Sequence, residues 1–116
     1  MNRRTTKAEP WYAVRCVFLH PDLRGEKRRK NVYEERIVVV RAGSDREAMR
    51  KGEREAREYS KGLESVRRLK FVETFHLFGK TIRDGTEVFS LMRSSNLDEP
   101  KFLDRYFDDG LEHRRS

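Results

Sequence analysis

Asp84-Gly85 stands between two apolar runs, Phe71 to Ile82 and Val88 to Met92, and no other dipeptide constrains the fold as much. Asp-Gly suits a type I′ hairpin turn, in which both central residues need φ > 0; Gly accepts this freely and Asp tolerates it. The pattern therefore predicts an antiparallel pair, Leu69 to Phe78 against Glu87 to Arg93, in the second half of the chain.

Earlier segments follow the same logic. Trp11 to Leu19 alternates as a strand, with Tyr12, Val14, Cys16 and Phe18 on one face and Trp11, Ala13, Val17 and Leu19 beside Arg15 on the other. Tyr33 to Arg41 contains the run Ile37-Val38-Val39-Val40, whose β-branched side chains favour extended backbone. These two strands pair as an antiparallel hairpin across the charged connection 20–32. Ser44 and Glu47 form a capping box at a helix start. Ala48, Gly52, Ala56, Tyr59 and Leu63 then recur at spacings that place them on one helical face. Gly52 costs about 1 kcal/mol of helix propensity relative to Ala, so close approach to the sheet is its expected reason. A last helix is expected from about Glu99 to Asp108, with Asp98 as cap, Leu97 and Phe102 at the staple positions, and Gly110 as the stop.

The expected fold is therefore α+β: a four-stranded antiparallel sheet in the order β-β-α-β-β-α, with one helix packed across a face. Both faces of the first and third strands are apolar, whereas an antiparallel sheet with one wet face alternates more cleanly. The short C-terminal helix, with Phe102, Leu103, Tyr106 and Phe107, is expected to cover the other face or edge; a second subunit is the alternative cover. Trp11, Phe71, Phe75 and Phe89 are read as core in preference to an open base-stacking platform.

The 116 residues suit one domain, here 11–110, between a flexible basic tail (1–10) and a disordered C-terminal tail (111–116). Charged residues make up 41% of the chain, but one Trp, four Tyr and seven Phe with clear periodicity argue for a packed core under a charged skin. The net charge of +7 is uneven: residues 1–32 carry nine Lys or Arg against three Asp or Glu. Arg24, Lys27, Arg28, Arg29 and Lys30 concentrate that excess in one loop. They are candidates for contact with phosphates or with an acidic protein, or else form a solvated hairpin tip that aids solubility.

Little chemistry is legible. Cys16 is the single cysteine, which excludes an internal disulfide, and its apolar setting points to a buried, inert thiol. His20 sits in His20-Pro21-Asp22 and reads as part of a turn, and His76 as a core-edge residue on the face opposite Glu73. Glu34 and Glu35 point to opposite faces and make a poor acid/base pair. Tyr33-Glu34-Glu35-Arg36 reads either as a recognition patch or as cross-strand pairing with Arg15. No catalytic residue, metal site or cofactor is assigned. Arg3 and Arg4 precede no apolar h-region, and no apolar stretch approaches the ~20 residues of a membrane helix, so a cytoplasmic protein is expected.

Trp11-Tyr-Ala-Val-Arg-Cys-Val-Phe18, Tyr33-Glu-Glu-Arg-Ile37, the Ser44-x-x-Glu-Ala48 helix start and Asp84-Gly-x-Glu-Val-Phe-Ser-Leu-Met-Arg93 resemble short bacterial proteins of the domain of unknown function 4288 family, over roughly residues 11–110. The resemblance implies a small stand-alone bacterial protein and supplies no site residues. The expected function is a non-enzymatic module, monomer or homodimer, that binds another protein in the manner of immunity or accessory proteins. The alternative is a nucleic-acid-associated protein that meets RNA or DNA phosphates through the 24–30 loop and the N-terminal tail.

Overall fold

The computed structural model of the protein describes residues 9–21, 31–78 and 81–107. Strand β1 (Trp11–Pro21) is followed by β2 (Asn31–Arg41), α1 (Asp45–Lys61), β3 (Arg67–His76) and α2 (Glu99–Tyr106). The sheet is three-stranded and antiparallel, ordered β2-β1-β3. β1 is central, with apolar residues on both faces either side of Arg15, and it meets β2 in unbroken register from Trp11↔Arg41 to Pro21↔Asn31.

The alternation expected for β1 is realised. Tyr12, Val14, Cys16 and Phe18 are buried, with Ala42, Ala48 and Ala56, and Val38, Val40, Tyr59, Val66 and Val72 pack around them. Each large side chain so buried contributes about 1.5–3 kcal/mol relative to exposure. Helix α1 starts as the capping box requires: Glu47 N–H donates to Ser44 Oγ at 3.1 Å. In return Gly43 N–H, one residue before the cap, donates to Glu47 Oε1 at 2.7 Å. The helix ends at Lys61, with Gly62 as its cap, so Leu63 falls beyond the apolar face rather than on it.

Two expectations are overturned. The first is the fourth strand: residues 86–98 form no strand. The Asp84-Gly85 turn does form, with Thr86 N–H donating to Arg83 O at 3.0 Å and Arg83 N–H to Thr86 Oγ1 at 2.8 Å. Gly85 has φ 85°, whereas among the described residues Ser65 alone is a non-glycine with positive φ, so Asp84 is not left-handed. That is the signature of a type II turn, not type I′, and type II geometry splays flanking strands instead of pairing them. β3 also stops at His76, seven positions before the turn begins at Arg83.

The second is the cover of the other sheet face. Helix α2 packs against no strand and not against α1. It begins as expected, with Asp98 Oδ1 accepting from Lys101 N–H at 3.1 Å, but its aromatic stripe meets itself: Phe102 lies 4.8 Å from Tyr106 and 5.8 Å from Phe107, ring centre to ring centre. With no fourth strand to carry the chain back along β3, nothing returns α2 to the sheet. Residues 1–8 of the N-terminal tail, the 24–30 loop, Gly110 and the 111–116 tail lie outside the described residues.

Candidate protein interface

Backbone alternation sorts the sheet into two faces. One carries the core and α1. The second collects Trp11, Ala13, Arg15, Val17 and Leu19 from β1, Tyr33, Glu35, Ile37, Val39 and Arg41 from β2, and Glu73 and Phe75 from β3 by register, with Phe71 two residues further on. At its centre Arg15 Nη2 donates to Glu35 Oε1 at 2.6 Å and Nη1 to Glu73 Oε1 at 3.0 Å. Its guanidinium carbon lies 5.8 Å from the Phe71 ring and 5.6 Å from Phe89, within cation–π range. Burial lowers the Arg15 pKa, but the hydrogen bonds and charges of Glu35 and Glu73 more than reverse this, and the net direction is upward. Cross-strand pairing of Arg15 with the Tyr33–Arg36 segment is thus present, and Glu73 joins it.

Phe89, from the irregular segment after the turn, packs tilted against Phe75 with ring centres 5.8 Å apart and covers the middle of this face. The rest remains open: Tyr33 is 59% exposed, Ile37 44%, Phe71 42% and Val39 40%. Trp11 is half-buried, with the Arg41 guanidinium 4.7 Å above its ring. None of Trp11, Phe71, Phe75 and Phe89 enters the buried core, contrary to the expectation for them. The core is completed instead by Ala48, Gly52 and Ala56 of α1, which bring the helix close to β1, with Val38, Val40, Tyr59, Val66 and Val72 around them.

A second polar cluster ties β1 and β2 to the end of α1. His20 is buried, with Nε2 2.7 Å from Glu34 Oε1; facing a carboxylate, that nitrogen is the donor. Tyr59 Oη donates to both Glu34 oxygens at 2.8 and 2.9 Å, and Phe18 meets the Tyr59 ring edge-on. Arg36 grips Glu55 with two bonds of 2.6 and 2.8 Å and lies 3.8 Å above the Tyr59 ring. These groups hold each other, which makes the cluster a clamp between hairpin and helix. Sequence reasoning placed His20 in a turn and missed the clamp. Its signal is the strand pairing Phe18↔Glu34, with His20 two residues along the same face.

His76 is exposed and stacks on Tyr12 with ring centres 4.9 Å apart, on the face opposite Glu73 as expected. Burial, then Asp45 and Glu47, push the Tyr12 hydroxyl pKa upward. Among the described residues no group of three or more His, Cys, Asp or Glu converges on a metal position, and no helix is long and apolar enough to cross a membrane. One shallow depression of about 360 Å³ is lined by Arg57, Glu58, Ser60 and Lys61 at the end of α1 and by Val66. The basic candidates Arg24, Lys27, Arg28, Arg29 and Lys30 lie outside the described residues, so no geometry attaches to them. The chain matches no family model, no curated protein and no solved structure.

Proposed function

We propose that this protein is a non-enzymatic module that binds another protein through the second face of its sheet, as immunity or accessory proteins do. The observation that carries the reading is the open apolar arc of Tyr33, Ile37, Val39 and Phe71 around the Arg15 ion pairs. Apolar rings and branched side chains around a few fixed charges suit a protein surface, in which an apolar centre excludes water and the charges set the register. Arg15, at the centre of this face, already holds Glu35 and Glu73, so its guanidinium is not free to meet a phosphate. His20 and Tyr59, the groups that chemistry would call on first, are engaged by Glu34. Membership of the domain of unknown function 4288 family, with a bacterial and cytoplasmic setting, is part of the same proposal.

The test compares the intact protein with Phe71→Asp as baits in native lysate. A stoichiometric protein held by the first and lost by the second supports the reading. A partner held equally by both, or none at all, overturns it. Retention on RNA at low salt, abolished by reversing the charges of Arg24, Lys27, Arg28, Arg29 and Lys30, would instead favour the nucleic-acid alternative.

A further inference from the structure

Among the described residues β2 is an edge strand, with β1 as its one neighbour in the sheet. Ala42 N–H donates to Pro10 O at 3.1 Å, and in an antiparallel ladder this fixes the direction of every backbone group along β2. Even-numbered residues turn their N–H and C=O toward β1, and Tyr33, Glu35, Ile37, Val39 and Arg41 turn theirs outward. At the end of this edge Lys51 Nζ donates to Arg41 O. Among the described residues no other hydrogen bond reaches the outward row.

Edge strands are normally blunted against pairing by bulges, prolines or inward charges. β3, the other edge, is blunted: its register with β1 shifts between Cys16 and Phe18, and it carries Arg67, Arg68 and Lys70. β2 has none of these devices over Ile37-Val38-Val39-Val40. Its eleven residues keep one register, and four consecutive β-branched side chains leave a straight apolar edge.

We propose that a second copy of this chain adds to β2, antiparallel and related by a two-fold axis through Val38. On that axis Ile37 of one copy stands opposite Val39 of the other, and Glu35 opposite Arg41, each pair occurring twice by symmetry. All four side chains project to the second face. The outward N–H and C=O of Glu35, Ile37, Val39 and Arg41 then meet their complements, and Arg41 O keeps a lone pair for Lys51. Moving the axis to Ile37 sets Glu35 against Val39 and Tyr33 against Arg41; moving it to Val39 sets Ile37 against Arg41. Neither alternative pairs acid with base. The result is a six-stranded sheet whose two second faces are continuous. This pairing does not depend on what that face binds.

Sedimentation of the full chain tests it. The protein should run at twice its 13.9 kDa at ~100 μM, and the amides of Glu35, Ile37 and Val39 should gain exchange protection as concentration rises. Glu35→Arg or Arg41→Glu sets like charges opposite and should weaken association at least ~10-fold. The double variant restores the pairing with reversed sign and should return to within about threefold of the original. Circular dichroism confirms that each variant is folded. A protein that stays monomeric at ~100 μM, amides that gain no protection, or single variants that associate undiminished would each overturn the proposal, as would a folded double variant that stays apart. Phe71→Asp lies on β3, so loss of a partner by that variant with the dimer intact separates this proposal from the preceding one.

Discussion

A methyl group on Gly52 would lie 2.3 Å from Cγ1 and 2.8 Å from Cβ of Val14. Helix α1 therefore crosses β1 at a distance only glycine allows. Gly52→Ala gains about 1 kcal/mol of helix propensity, but overpacking at a rigid β-branched neighbour costs about 1–3 kcal/mol and must also lift the helix. Net destabilisation is expected by urea titration. In a Val14→Ala background the same change should cost at least ~1 kcal/mol less, because both Cγ methyls are gone and only Cβ stays close. Additive effects would show that the two residues are not in register.

Tyr59→Phe isolates one hydroxyl. The ring still meets Phe18 and Arg36, so packing is kept, while both bonds to Glu34 are lost. Hydrogen bonds to a charged group contribute about 1.5–3 kcal/mol, and the loss of stability on urea titration should fall in that range. A change below ~0.5 kcal/mol, the size of a typical surface substitution, would remove the clamp as a stabilising feature.

These two sites mark the limits of what the sequence carries. Gly52 was legible because an unfavourable residue in a regular apolar stripe needs a steric reason, and Ser44 because a capping box is a local rule. The β1–β2 pairing was legible from alternation. The fourth strand was misread because Asp84-Gly85 serves type II as well as type I′ turns, and Val88-Phe89 takes strand form only where an edge is in reach. The Arg15 and Glu34 clusters join residues 58 and 25 positions apart, and such pairings depend on register, which no local pattern fixes. The position of α2 depends wholly on where the preceding chain leads it.

The two carboxylates on Arg15 should not contribute equally. Glu35 makes the shorter bond, but its side chain is 64% exposed against 32% for Glu73. Solvent screening dominates at the more exposed site. Glu73→Gln should cost about 1 kcal/mol and Glu35→Gln no more than ~0.5 kcal/mol, measured at low concentration and moderate salt so that association plays no part. The opposite order would mean that bond length outweighs exposure here.

Helix α2 gives a prediction of silence. Leu103 is 54% exposed and the helix packs on no other element. Leu103→Ala should change the unfolding free energy by less than ~0.5 kcal/mol, where a Leu→Ala in a packed helix costs about 2–5 kcal/mol. A loss in the larger range would mean that α2 docks on the sheet in solution, as its aromatic stripe first suggested.

Alkaline pH should expose the core. Cys16 is buried on the α1 face, and burial, with Glu53 and Glu55 adding to it and Arg68 and Arg36 opposing, leaves its thiol above the ordinary 9.0. Tyr12, on the same face of β1, is likewise raised above 10.0, first by burial and then by Asp45 and Glu47. Both are acids that ionise more readily in the unfolded chain than in the folded one. The folded state therefore binds their protons longer, and stability falls as pH rises. Their contribution is fully present below about pH 9 and is lost progressively above it. The urea midpoint should hold level near neutrality and decline on the alkaline side, and Cys16→Ala with Tyr12→Phe should flatten that decline. The same burial predicts that a thiol reagent labels Cys16 no faster than the chain opens, so the labelling rate should rise with urea along the unfolding curve. Rapid labelling of the folded protein at neutral pH would place Cys16 outside the core and remove the basis for both effects.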